Sequence, residues 1–246
     1  QAREHLEEAV RLDPKAIGPN AILAVHYVYN GDWAAYLDNI PVLDALAAEA
    51  GLDSLSEHEL YFYWYGKLYA DPAVCAGKLQ ELVPKDSDSV FGQALTTAAL
   101  AHAAVDKHDE ERAREAVIRA DAVLEIAPNN PWVMVMSLYA YEVLIQLTKS
   151  GEDYPSYLIE AADEIADRLA LHETYLLGRY ELALYYDRTG HPGEAKSHYE
   201  DCSMVRDTTS FLMRDAFRRG EGSMTDVISY LESCENTRYV RLSRLL

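Results

Sequence analysis

Eight histidines, three cysteines and 41 carboxylates are the side chains here that could hold a metal or serve acid–base chemistry. Their spacing decides whether they can. Glu194 and His198 stand four apart, which on a helix places both on one face, with Asp201 beside them. His58-Glu59 lacks a second histidine four residues on, so it is no zinc-protease motif, and His172-Glu173 fails in the same way. His102 and His108 are six apart and read as lying on different helices. No group reaches the three or four ligands of a zinc site, so neither metal nor cofactor is expected. A Gly-x-Ser-x-Gly elbow and a glycine-rich phosphate loop are both absent. Cys75 has Lys78 nearby but no placed histidine, and Cys202 falls at a small-residue packing position. Glu7-Glu8 and Glu110-Glu111 read as solvated helix surface. The segment is therefore not expected to be an enzyme itself.

The chemistry that stands out is aromatic. There are 18 Tyr, 3 Trp and 4 Phe, and Tyr61, Phe62, Tyr63, Trp64, Tyr65 and Tyr69 fall on one helix. Six aromatics exceed what one buried stripe can absorb, because a stripe covers only part of a helix's circumference. Tyr and Trp supply large contact area at low entropic cost, which makes them recognition residues. Tyr61, Tyr65 and Tyr69, four apart, would form one stripe. A thick core that packs all six inside is the other reading, and the sequence leaves both open.

Charge narrows the partners. Against 41 acids there are 22 basic side chains, a net charge of −19. Such a surface repels nucleic acid and anionic membrane. It serves solubility, or steers a basic partner. Residues 206–246 hold seven Arg and six acids, so the rest of the chain carries −20. An odd cysteine count with no close pair suits a reducing compartment, and a cytoplasmic location is expected. No apolar run approaches the roughly 18 residues of a membrane span.

The elements that must position these side chains read as helices. Gly (12) and Pro (9) are sparse for a sheet protein of 246 residues. Periodicity and caps predict fourteen helices, over 2–12, 16–30, 33–50, 56–70, from 71, 89–107, 109–126, 130–149, from 155, 173–189, 192–205, 209–219, 223–234 and 237–246. Ser56-x-x-Glu59 is a capping box, and Asp71-Pro72 and Asn130-Pro131 open helices with proline in the first turn, where no N–H is needed. Linkers of two to nine residues make consecutive helices antiparallel.

An ordered spacing recurs. Leu182-Ala183, Tyr186, Gly190, Ala195, Tyr199 and Cys202 run from one helix into the next. Leu23-Ala24, Tyr27 and Gly31 repeat its first part. Ala2, Leu6, Ala9 and Pro14 repeat its second. Trp132, Val135, Met136 and Tyr139 match a first helix, and Ala113, Val117 and Ala120 a second. All first-helix matches fall on even-numbered helices and all second-helix matches on odd ones. This resembles the tetratricopeptide repeat, with Arg179 where that family has Trp and Asp207 where it has Pro.

The resemblance implies an all-α, right-handed solenoid of helix hairpins forming one domain, with first helices lining a concave groove. It places Tyr180, Leu184, Asp187 and Arg188 on that groove from the tenth helix, and Ala21, Val25 and Tyr29 from the second. Through parity it adds Tyr61, Tyr65 and Tyr69 from the fourth. Lys and Asn, which the family's carboxylate clamp needs, are missing there, so an acidic tail is not the expected ligand. The expected function is a scaffold that binds protein or peptide, with apolar and some basic character, in an aromatic and acidic groove. The alternative is a regulatory or sensory region of a multidomain bacterial Ser/Thr kinase or transcription regulator. Both end helices lack a hairpin partner, so a piece of a larger protein is expected.

Overall fold

Short polar side chains begin most of the helices. Asp32, Ser56, Asp71, Ser89 and Asp109 each accept a hydrogen bond from a backbone N–H three residues on. Ser56 and Glu59 form the full capping box: Ser56 N–H donates to Glu59 Oε2 at 2.9 Å and Glu59 N–H to Ser56 Oγ at 3.3 Å. Gly51 and Gly190 end helices at φ +78° and +86°, where a side chain would be strained.

The computed structural model describes residues 2–29, 32–148, 155–173 and 175–203. Among these residues there is no strand. The helices are α1 (Ala2–Leu12), α2 (Ile17–Tyr29), α3 (Trp33–Ala50), α4 (Glu57–Lys67), α5 (Pro72–Leu82), α6 (Val90–Lys107), α7 (Glu110–Ile126), α8 (Pro131–Thr148), α9 (Ser156–Ala170), α10 (Leu176–Arg188) and α11 (Pro192–Ser203). A 3₁₀ turn, Leu52–Ser54, precedes α4. The last three expected helices, at 209–219, 223–234 and 237–246, lie outside the described residues.

Every helix packs on the next in sequence. The even helices also pack on one another: α2 on α4, α4 on α6, α6 on α8 and α8 on α10. No two odd helices share a comparable contact among the described residues. The even helices are therefore linked in series as one layer, in which α4 and α6 touch only lightly, and the odd helices contact it through their neighbours in sequence.

Small residues make that layer dense. Ala94, Ala98, Ala99, Ala101, Ala103 and Ala104 of α6 are buried, as are Ala113, Ala116 and Ala120 of α7. With so little side chain between them, the two axes approach closely and dispersion contacts multiply. Gly66 of α4 does the same against α2 and α3, since a Cβ there would lie 2.9 Å from Leu43 Cδ1 and 3.0 Å from Ala21. Ala183 and Ala195, the small pair of the recurring motif, are buried, and α10 packs tightly on α11. Nearly all of α8 from Val133 to Ile145 is buried, as suits a helix apolar around its whole circumference.

Some of the buried polar groups are tied to backbone. Arg119 Nη1 donates to Val83 O at 3.0 Å and to Gln93 Oε1 at 2.9 Å. Gln93 Nε2 donates to the carbonyls of Pro84, Lys85 and Ser87. One network thus fixes the α5–α6 turn against α7. Glu181 on α10 differs: it is only 7% exposed, and its Oε1 has no hydrogen-bond partner. Burial raises its carboxyl pKa to about 8.

Candidate functional site

Among the side chains that the even helices leave half-buried, several are aromatic. Phe62 and Tyr65 on α4, Phe91 on α6 and Trp132 on α8 rest on the core without being enclosed by it. Phe91 and Trp132 stack, with centroids 5.1 Å apart and planes 17° apart. Tyr65 stands edge-on to both at 6.3 Å, and Phe62 closes on Phe91 at 5.6 Å. His58 lies 4.8 Å from Phe62 and nearly perpendicular to it. Edge-to-face and offset-stacked rings are the arrangements that the ring quadrupole favours.

A second ring group crosses the same three elements further along. Tyr69, just beyond α4, meets His102 of α6 at 5.1 Å. His102 meets Tyr139 of α8 at 4.6 Å, and Tyr139 Oη and His102 Nδ1 share a 3.0 Å hydrogen bond. Tyr36 of α3 approaches Tyr69 at 6.5 Å. Desolvation lowers the His102 pKa to about 3, so the imidazole is neutral at physiological pH. It serves here as a ring and a hydrogen-bond partner, with no charge to offer.

The positions anticipated from sequence divide. Tyr65 and Tyr69 belong to this half-buried face. Tyr61, which was to share their stripe, is 4% exposed; its ring lies 6.0 Å from Phe91 and its hydroxyl bonds to Glu57. Burial, with help from Glu57, raises the Tyr61 pKa to about 12. Tyr63 and Trp64 are buried as well, so α4 uses part of its aromatic load as core and part as surface. Val25, Tyr180 and Leu184 are buried, and Ala21 is fully buried against Gly66. Asp187 is half-buried. Tyr29 and Arg188 lie in α2 and α10, but their side chains are outside the described residues.

Sequence reasoning passed over Phe91, counted Phe62 only in the aromatic load of its helix, weighed His102 only as a metal ligand, and took Trp132 and Tyr139 only as repeat-packing residues. The signal was present: 58, 62, 65 and 69 follow 4-3-4 spacing, which holds one helical face, whereas 61, 65 and 69 drift about 40° per step at 3.6 residues per turn. Phe91 and His102 stand out as bulky side chains in an alanine-rich helix.

Among the described residues no three His, Cys, Asp or Glu side chains converge as a metal site would require. His198 stacks on Tyr186 at 5.5 Å with planes 7° apart, and its Nδ1 lies 3.3 Å from Arg179 Nη1. Cys75 is buried. Among these residues no helix is long and apolar enough to cross a membrane.

No family model, curated protein or solved structure matches this chain. The reading of its function rests on the even-helix face itself.

Proposed function

We propose that the chain is a divergent tetratricopeptide-like solenoid, right-handed, and that it binds a protein or peptide along the layer of even helices. The observation that carries this is the row of half-buried rings from Phe62 and Tyr65 through Phe91 to Trp132, laid across α4, α6 and α8. Contacts between α2, α4, α6, α8 and α10 support the stacked-hairpin part of the reading. Concave solenoid faces bind extended or helical segments, and buried aromatic anchors dominate the energy of such contacts. The task is recognition: apolar area covered on binding supplies the drive, and the ring edges supply orientation.

The test uses the whole chain and a displayed library of random peptides. Peptides selected on the wild type should lose about thirtyfold in affinity with Tyr65→Ala or Trp132→Ala, the equivalent of about 2 kcal/mol. Circular dichroism should show both variants still helical. Selected peptides that bind both folded variants as well as the wild type would place the partner elsewhere and defeat the reading.

A further inference from the structure

The face just described is set in a part of the chain without cations. Residues 51–66, 86–106 and 120–148, which contain nearly all of α4, α6 and α8 with the turns that lead into them, hold no lysine or arginine. On or leading into α4 and α6 the same stretches hold Asp53, Glu57, Glu59, Asp86, Asp88 and Asp106; Asp121 and Glu125 belong to α7, and Glu142 is buried in α8. The two lysines at the ends of α4 and the α5–α6 turn are already engaged: Lys67 lies 2.6 Å from Asp44 and Lys85 lies 2.7 Å from Glu115.

Acids also stand next to the rings. Glu57, in the first turn of α4, accepts the hydroxyl of Tyr61, whose ring adjoins Phe91. Asp86 and Asp88 are exposed in the turn before α6, and Phe91 is that helix's second residue. Part of the N-terminal N–H set of each of these helices is already engaged: Ser56 accepts from Glu59 in α4, Ser89 from Gly92 in α6, and Asn130 from Trp132 and Val133 in α8.

We propose that the partner docks on this face through an arginine or lysine side chain, seated against the Phe91–Trp132 pair, with apolar residues on Phe62 and Tyr65. This rests on the reading of the face as a binding surface and names its ligand: a cationic peptide segment with apolar anchors. A ring face attracts a cation through its quadrupole. Stacked planar rings suit the flat guanidinium of arginine best. An acidic ligand would meet the exposed carboxylates Asp86 and Asp88 at the start of α6, with no lysine or arginine in the adjoining stretches. A wholly apolar one would leave the surrounding negative potential unused, although that potential raises the encounter rate of a basic ligand.

The experiment selects random displayed peptides on the full chain and reads their composition. Arginine and lysine should be enriched beside apolar residues. In a synthesised peptide, replacing the critical arginine by citrulline, which keeps the shape and removes the charge, should weaken binding at least tenfold. Asp86→Asn with Asp88→Asn should weaken it severalfold and flatten its salt dependence. Trp132→Leu, which keeps apolar volume and removes the ring, should erase the citrulline effect. Peptides that compete at Trp132 yet show no basic enrichment, or tolerate citrulline, would overturn the cationic ligand and leave the binding face standing. A library that yields no binder, or binders indifferent to Trp132, would overturn both.

Discussion

Tyr141 on α8 donates its phenolic hydrogen to Asp121 on α7 at 2.7 Å. The relation recurs along the chain: Tyr185 on α10 donates to Asp163 on α9 at 2.7 Å, and Tyr63 on α4 donates to Asp44 on α3 at 2.8 Å. In each case a tyrosine of an even helix reaches through the core to a carboxylate of the odd helix before it. The ring fills the space between the two helices while its hydroxyl finds an acceptor at the rim, so none of these three O–H groups is left unbonded. Tyr141→Phe should cost about 1.5 kcal/mol, the size of a hydrogen bond to a charged group. A double-mutant cycle with Asp121→Ala, followed by urea denaturation, should return most of that cost as coupling. Additive effects would show the pair to be incidental.

Two glycines give opposite expectations for one substitution. Gly66→Ala forces a Cβ within 3.0 Å of Ala21 and Leu43, where α2, α3 and α4 converge, and should destabilise by about 1–3 kcal/mol. Gly77→Ala meets nothing within 4 Å on the exposed side of α5, and should stabilise by about 0.5–1 kcal/mol through lower unfolded-chain entropy. Thermal melts of the two variants should therefore move in opposite directions.

Glu181 makes stability pH-dependent. Its carboxyl ionises near 4.5 when unfolded and near 8 when buried in α10. Between those values the unfolded state binds fewer protons, so this group's share of stability is whole below about pH 4.5 and falls as pH rises toward 8. Glu181→Gln should raise the melting temperature at pH 8 and change it little at pH 4.5. An equal shift at both pH values would mean that the ionisation of Glu181 does not matter.

His102 acts in the other direction. Its pKa falls from 6.5 to about 3 on burial, so the folded state binds fewer protons than the unfolded one between those values. Its share of stability is present above pH 6.5 and lost as the solution is acidified toward 3. In His102→Phe, which keeps a ring between Tyr69 and Tyr139, the loss of stability from pH 7 to pH 5 should be smaller than in the wild type. An unchanged slope would contradict this.

Much of this architecture was legible in the residues because it follows local rules. Caps such as Ser56, Asp71 and Asn130, and breaks such as Gly190-His191-Pro192, set helix ends through groups within four residues of each other, so they can be read in order. The spacing of Ala183, Tyr186 and Ala195 led to the expectation of a helix pair, and α10 and α11, which carry them, pack on each other. The aromatic face was harder. Which ring of Tyr61, Phe62 and Tyr65 turns outward depends on how α4 is rotated against α2 and α6, and that is set by the close approach at Gly66 and Ala21, which no local pattern records. Phe91 and Trp132 are 41 positions apart and meet only because α6 and α8 share a layer. The Tyr–Asp relations, 19 to 22 residues apart, escaped notice for the same reason.

The most direct test of the central claim is the indole N–H resonance of Trp132 in a tryptophan-labelled full chain, assigned with Trp132→Phe and followed while a selected peptide is added. The account predicts that this resonance shifts in step with binding, while that of Trp64, buried in α4, stays put. A peptide that binds with the same affinity and leaves the Trp132 resonance unmoved would contradict it.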